Sequence, residues 1–261
     1  GQIFFTLSLG MGALATYASY VKEKEDVALM GLATASTNEF VEIVLGSAIA
    51  IPAAFLFFGP ASIPELASAG TFRLGFVSMP AVLNSIPLGF FWSFVWFMLL
   101  FIAAFTSSIA LTQPMITFLE DEVNIPHSKA VAISMLIVIV GAHLSIFIPG
   151  YIDELDFWAG SFILLLFGII EIIFFIWLFG PSNFTNELNE GSILKIPKWV
   201  AYLTGTVSLA FLVIILVVWI FQNLPSLISQ QGLGVWLART SILFLLLALG
   251  YLTVISAKEK E

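Results

Sequence analysis

The segment FTLSLGMG at 5–12 interrupts an otherwise apolar run with small and polar residues. Ser8, Gly10 and Gly12 weaken a helix there. Glycine loses more backbone freedom on folding than other residues do, and the serine side chain competes for helical hydrogen bonds. One interpretation is a small-residue face that packs between helices. The other is an unwound segment, whose free backbone groups can exist in a membrane only if they line a cavity or a ligand. The pattern leaves both interpretations open.

Asn38 and Glu42 are four residues apart, so they share one face of a helix. The carboxamide oxygen of Asn38 is a hard ligand of the kind that suits Na⁺. Glu42 would be either ionised against a cation or protonated because of desolvation. The alternative is an internal hydrogen-bonded pair that has no role in transport.

Three consecutive hydroxyl residues occupy 106–108, inside a long uncharged run. Each could simply bond back to its own helix. Ala103, Ser107 and Leu111 are spaced four apart and form one stripe, which would suit an ion beside an aliphatic group. Asp121 falls near the same stripe, about four turns further along the chain.

Acidic residues also cluster at Asp153, Glu154 and Asp156. Acids favour helix N-termini, so we expect Asp153 and Glu154 to be solvated there. Glu171 lies among isoleucine, phenylalanine and leucine and needs a buried partner. The sequence does not identify that partner.

The composition indicates that these residues belong to a membrane protein. Of the 261 residues, 60% are hydrophobic and only 10% are charged, against about 25% charged in ordinary soluble domains. The absence of cysteine excludes disulfides, thiol chemistry and cysteine-ligated metal. The two histidines lack metal-ligand spacing, and no basic run indicates a nucleic-acid partner.

The charged residues divide the chain into apolar segments of membrane-spanning length. We expect a broken helix over 1–20, a long extracellular loop with short helical pieces over 59–88, and six complete spans. The predicted spans are about 27–58, 89–119, 128–148, 157–180, 199–222 and 235–257.

The distribution of basic residues orients the predicted spans, because cytoplasmic loops are enriched in lysine and arginine. With the turn after residue 20 in the cytoplasm, only Arg73 and Arg239 fall outside, and the C-terminus is cytoplasmic. We interpret Gly1 as a position inside a longer protein, since the chain opens directly into apolar sequence. The basic residues on the cytoplasmic side are then Lys22, Lys24, Lys129, Lys195, Lys198, Lys258 and Lys260.

Five motifs together resemble the neurotransmitter:sodium symporter family, and bacterial members in particular. They are GQIFFTLSLGMG at 1–12, TNEFVE at 37–42, TSSIALTQPM at 106–115, FLEDE at 118–122 and DELDFWAG at 153–160. The resemblance covers essentially the whole chain. It implies an all-α membrane protein of twelve helices, with two inverted five-helix repeats and discontinuous helices 1 and 6. Residues 1–180 would form the second repeat, and 181–261 the last two helices and a cytoplasmic tail.

The resemblance also implies roles for individual residues. Substrate would contact Phe5, Thr6, Ser8, Met11, Ser107 and Leu111. Two Na⁺ ions would be ligated by Thr6, Asn38, Ala103, Thr106 and Ser107. Phe5, Phe72 and Asp156 would close the outer side, while Tyr20 and Asp121 would close the inner side. The arginines that pair with the two gating aspartates would lie outside this chain.

The implied function is sodium-coupled symport of a hydrophobic amino acid by alternating access, in a bacterial plasma membrane. Glu42 stands where chloride-dependent members have a small polar residue, which suggests chloride independence and a possible proton site. Met11 replaces an aromatic residue of the family pattern, so the choice among hydrophobic amino acids stays open. The expected partners are the substrate, the bilayer, the N-terminal helices of the parent chain and a second copy in a homodimer.

Three other interpretations compete with a transporter. A channel component or structural membrane subunit would share the composition. An intramembrane enzyme would need a motif such as HExxH or two deep aspartates, whereas the aspartates here lie near predicted helix ends. A non-transporting auxiliary homologue is disfavoured because Thr6, Asn38, Thr106 and Ser107 are retained.

Overall fold

A computed structural model describes residues 2–22, 24–60 and 74–259, and in these ranges the chain is helical with no strand. Within them, six helices are long and apolar enough to cross a membrane. These helices confirm the expected all-α membrane fold class. They are Val27–Ile49, Gly89–Asp121, His127–Phe147, Tyr151–Leu178, Lys198–Pro225 and Leu233–Lys258.

The first helix is discontinuous, as the sequence predicted. Helix α1 (Gln2–Thr6) ends abruptly, and α2 (Ala13–Ala18) begins after a six-residue gap. Between them the backbone enters the left-handed region at Ser8 (φ 54°), Gly10 (φ 69°) and Gly12 (φ 75°). A left-handed residue cannot continue a right-handed helix, and serine adopts this conformation less readily than glycine does.

The chain divides into two compact units, which are described separately. The first comprises Gly31–Ile109. It contains most of α3 (Val27–Glu39), which continues through a π-helical segment, Phe40–Gly46, into α4 (Ser47–Phe58). A second π-helical segment precedes α5 (Met79–Asn84), and the unit ends within α6 (Gly89–Asp121).

The second unit comprises Gly1–Met30 and Ala110–Glu261. After α6 comes α7 (His127–Phe147). The following span is one continuous rod in which helical and π-helical segments alternate: α8 (Tyr151–Leu155), π-helical Asp156–Ile163, α9 (Leu164–Ile172) and π-helical Ile173–Leu178. The chain then forms α10 (Pro181–Asn189), α11 (Lys198–Leu203), π-helical Thr204–Ser208, α12 (Leu209–Ser229) and α13 (Leu233–Glu259).

The final helix, α13, contacts other helices near both of its ends. Near its start, the Tyr151 hydroxyl of α8 donates to Ser241 Oγ at 3.2 Å. Near its end, Ser256 Oγ donates to Glu122 Oε2 at 3.0 Å, just after α6. Leu252 packs between these points against the small core formed by Ile116, Leu119 and Ala130.

Asp26 connects the start of α3 to the loop before α11 by hydrogen bonds. Its carboxylate accepts hydrogen bonds from the backbone N–H of Leu29 at 2.8 Å and of Ile193 at 2.7 Å. The bond to Leu29 caps the N-terminus of α3. The two donors, Ile193 first, hold the pKa of the Asp26 carboxyl below its ordinary value of 3.8.

Replacing Asp26 by alanine is expected to lower the melting temperature of the intact protein at pH 7. Because the folded-state pKa is depressed, the stabilisation is complete above the unfolded pKa of about 3.9 and is lost as pH falls through the folded value. Thermal unfolding of the wild type and D26A should therefore differ at pH 7 and converge at acidic pH. Asp153→Ala, which removes another exposed acid, is the control. Equal melting temperatures at pH 7 would contradict this role.

Candidate functional site

The break in the first helix lies against α9, and its backbone finds a partner there. The Glu171 carboxylate accepts a hydrogen bond from the backbone N–H of Gly10. This is the partner that sequence reasoning could not supply for Glu171. It matters because an unpaired backbone group in hydrocarbon costs several kcal/mol. An apolar cavity of about 220 Å³ borders the same carboxylate and is also lined by Phe4 and Leu9.

Two glycines allow this close approach. A Cβ added to Gly10 would lie 2.8 Å from the backbone oxygen of Leu164, and one added to Gly168 would overlap the ring of Phe4. The break and α9 therefore meet backbone to backbone, with the Phe4 ring in a notch above Gly168. The small residues that first suggested helix packing thus serve both packing and unwinding.

The residues predicted to contact substrate from this segment lie at the break itself. Phe5 and Thr6 end α1, while Ser8 and Met11 belong to the non-helical stretch. The Phe5 side chain is half exposed, and Ser8 is the residue with the left-handed backbone. Their roles in binding stay predictions.

Asn38 and Glu42 lie on one helix face, as their spacing predicted, and are bonded to each other. The Asn38 side-chain nitrogen donates to Glu42 Oε2 at 3.2 Å, across the junction between α3 and the π-helical segment. The bond assigns the amide nitrogen to the Glu42 side, so the carboxamide oxygen is the atom suited to a cation. The same bond is also what an internal structural pair would form, and the geometry is compatible with both interpretations.

The three hydroxyls of α6 differ in what they contact. Thr106 Oγ1 donates to the backbone oxygen of Ile102 at 2.9 Å, and Ser108 Oγ donates to that of Ala104 at 2.7 Å. These two fulfil the expectation that hydroxyls bond back to their helix. Within the described residues Ser107 shows no such bond. The oxygens of all three hydroxyls keep lone pairs that could ligate a cation, because a hydroxyl that donates its hydrogen can still accept.

The predicted sodium and substrate sites draw on both units. The unit that contains the first helix holds Thr6, Ser8 and Leu111. The unit Gly31–Ile109 holds Asn38, Ala103, Thr106 and Ser107. The structure describes the residues of each unit within that unit. The sodium and substrate sites that would combine residues of both units stay predictions.

The outer-gate candidate Asp156 begins the π-helical segment Asp156–Ile163. Its carboxylate folds back over Gly160, where an added Cβ would lie 2.6 Å from Asp156 Oδ1. Glycine at 160 therefore leaves room for this side-chain orientation. The inner-gate candidates Tyr20 and Asp121 are both exposed, and no hydrogen bond joins them in the described ranges. Phe72 falls outside the described residues.

The expectation that Glu154 is solvated is wrong. Its side chain is only 2% exposed and forms an ion pair with Arg239, with 2.6 Å between Oε1 and Nε. The Trp158 indole N–H donates to the same oxygen at 2.8 Å. The helix-terminus pattern cannot reveal a partner 85 residues away. The one available signal was Arg239 itself, one of two basic residues on the predicted outer side.

The chain is similar in sequence to a family of transporters. The sequence model described as "Sodium:neurotransmitter symporter family" matches residues 1–258. An uncharacterized sodium-dependent transporter of Methanocaldococcus jannaschii is 30% identical over 213 residues, covering 79% of this chain and 43% of the relative. A sodium-dependent transporter of Haemophilus influenzae is 29% identical over 229 residues, covering 82% and 48%.

A more distant relative is the mouse sodium- and chloride-dependent neutral and basic amino acid transporter B(0+). It is 24% identical over 213 residues, covering 77% of this chain and 32% of the relative. The chain therefore spans less than half the length of these curated relatives.

Gly10→Ala is expected to destabilise the intact protein. The left-handed backbone alone costs about 1–2 kcal/mol for a residue with a Cβ, and the contact with the Leu164 oxygen adds to it. Thermal unfolding in detergent measures the loss. Gly141→Ala, in a helical position with no atom within 4 Å of the added Cβ, is the matched control and should be neutral or stabilising. Equal stability of the two variants would contradict the close packing of the break.

Proposed function

Because the chain belongs to the Sodium:neurotransmitter symporter family, we propose that it forms part of a sodium-coupled symporter for a hydrophobic amino acid. The observation that carries the proposal is the discontinuity at 7–12. It places Ser8 and the backbone groups that follow the end of α1 in non-helical geometry inside an apolar segment. Such breaks build ion and substrate sites at mid-bilayer in transporters. The family assignment also argues against the enzyme interpretation.

The proposed substrate pocket is apolar, with a few polar groups. Phe5, Met11 and Leu111 would hold the substrate side chain, while Thr6, Ser8 and Ser107 contribute hydroxyls. Methionine is flexible and polarisable, so it fits apolar side chains of several shapes. This supports a hydrophobic amino acid, which we propose as the substrate class.

Two Na⁺ sites are proposed from hard oxygen ligands. Thr6 and Asn38 would serve one ion together with the substrate carboxylate, and Ala103, Thr106 and Ser107 would serve the other. The Asn38 nitrogen donates to Glu42, and the amide oxygen is the Asn38 atom that would ligate the cation. A shared carboxylate makes Na⁺ and substrate each raise the affinity for the other, as linkage requires.

Glu42 is proposed to supply the negative charge that chloride supplies in chloride-dependent transporters, and to be a candidate proton site. The prediction is that replacing chloride by gluconate leaves binding unchanged in the intact wild type. In Glu42→Ser, which removes the carboxylate, chloride should stimulate binding. Chloride-dependent binding by the wild type would contradict the assignment.

The cellular arrangement follows from the same proposal. The protein would be a multi-pass protein of a bacterial plasma membrane with a cytoplasmic C-terminus. Helices outside this chain would supply the other half of each site and the arginine partners of Asp121 and Asp156. Two copies would associate as a homodimer. A non-transporting auxiliary subunit or channel component is the alternative, and the internal Asn38–Glu42 bond is the observation compatible with it.

Asn38→Ala and Thr6→Ala are expected to weaken both Na⁺ and amino-acid binding by the intact protein. Each removes an oxygen ligand, and coupled sites lose affinity together, by about 5- to 150-fold for typical coupling energies. Titration of labelled leucine binding against Na⁺ measures both effects. Ser108→Ala is the control, because that hydroxyl is bonded to its own helix. Sodium-independent binding of equal strength would sink the proposal.

Gly160→Ala tests Asp156 as an outer gate. The added methyl displaces the carboxylate, and the displaced atom ends a flexible side chain, so folding should be little affected. Bound substrate should then dissociate faster, because the outer side closes less well. Isotope-dilution measurements on the sodium-loaded protein give the dissociation rate. An unchanged rate would argue against Asp156 as a gate.

A further inference from the structure

The ion pair between Arg239 and Glu154 joins the last helix to the rod that carries Asp156. Arg239 lies on α13 and Glu154 on α8, and their side chains are 23% and 2% exposed. One carboxylate oxygen, Glu154 Oε1, receives both Arg239 Nε at 2.6 Å and the Trp158 indole N–H at 2.8 Å. The guanidinium carbon also lies 5.8 Å from the centre of the Trp236 ring, within reach of a cation–π contact.

The two helices meet closely on either side of this pair. A Cβ on Gly234 would lie 2.8 Å from the backbone nitrogen of Tyr151. On the other side, the Tyr151 hydroxyl donates to Ser241 Oγ at 3.2 Å. Glycine at 234 thus brings the start of α13 onto the start of α8, and the ion pair lies within this contact.

Asp156 stands midway between the two residues that are fixed by this contact. Glu154 and Trp158 are four apart and lie on one face, bonded to each other. A residue two positions further along a helix is rotated by about 200°, so Asp156 lies on the opposite face. Anchoring Glu154 to α13 therefore sets the rotation of the rod about its axis, and with it the direction of Asp156.

We propose that Arg239 is a positioning residue for the outer gate. Through its buried ion pair with Glu154, it holds the α8 rod in the rotation that presents Asp156 for closure. This inference rests on the proposed function, in which Asp156 closes the outer side over bound substrate. It also gives a reason for an arginine among the few basic residues on the outer side.

Arginine suits this task better than lysine. Its planar guanidinium offers several donors in fixed directions and stays charged. Nε contacts the carboxylate directly, whereas lysine has a methylene carbon, which cannot donate a hydrogen bond, at that point of its side chain. Arg239→Lys keeps the charge and changes this geometry, so it should restore only part of the function that a neutral residue loses.

The test measures the dissociation of labelled leucine from the intact, sodium-loaded protein by isotope dilution. Asp156→Asn, Arg239→Gln and the double variant Glu154→Gln/Arg239→Gln should each raise the dissociation rate by about fivefold or more, the lower end of typical coupling between sites. Arg239→Lys should give an intermediate rate. Ser241→Ala, which removes a hydrogen bond between the same two helices without touching the ion pair, should leave the rate unchanged.

The dissociation rate separates positioning from mere loss of folded protein. A purely structural defect lowers the number of binding sites and leaves the rate of the surviving sites at the wild-type value. Arg239→Gln alone could fail to fold because it leaves the Glu154 carboxylate buried and unpaired. The double variant leaves no unpaired charge, so its dissociation rate then tests the positioning role.

The outcomes that overturn the inference are distinct from those that overturn the proposed function. Wild-type rates in the Arg239→Gln and double variants, with Asp156→Asn accelerated, overturn the positioning role alone. An equal acceleration by Ser241→Ala also overturns it, because general loosening of the helix pair would then suffice. An Asp156→Asn variant that behaves as wild type overturns the gate role of Asp156 and the inference with it, while sodium-dependent binding by the wild type still supports the proposed function. A wild type without sodium-dependent binding overturns the proposed function.

Discussion

Every backbone N–H and C=O in a membrane needs a partner inside the protein, and this constraint governs the first helix. Unwinding 7–12 gives up helical hydrogen bonds, and α9 compensates with the Glu171 carboxylate, which accepts from the Gly10 N–H. The glycines at 10 and 168 make the approach possible, since a Cβ on either would collide with its neighbour. The break is therefore a packed feature of the fold, braced by an acid in a neighbouring span.

The long rod from Tyr151 to Leu178 carries both this brace and the outer-gate candidate Asp156. One end of the rod carries Glu154 and Asp156, and further along it carries Gly168 and Glu171. The π-helical segment that starts at Asp156 changes the helical register between them. Such segments are frequent at functional sites. The last helix contacts the end of the rod that carries Glu154 through Arg239, and it contacts Glu122, the residue after Asp121, through Ser256.

Much of the fold could be predicted from the sequence, because membrane spans depend on local composition. Ser8, Gly10 and Gly12 left packing and unwinding open, and the family resemblance favoured the discontinuity. The spacing of Asn38 and Glu42 predicted a shared helix face. The partners of Glu171 and Glu154 could not be predicted, because each lies far away in sequence and helical periodicity gives only a shared face. Glu154 was misjudged for this reason: the preference of acids for helix N-termini describes solvated positions, whereas its burial depends on Arg239.

The break in the first helix is proposed to serve a sodium-coupled symporter. Uptake of labelled leucine into vesicles reconstituted with the intact protein tests it most directly. With an inward Na⁺ gradient, leucine should accumulate above its external concentration, and a sodium ionophore should abolish the accumulation. Equal uptake with and without the Na⁺ gradient, or none with any hydrophobic amino acid, would contradict it.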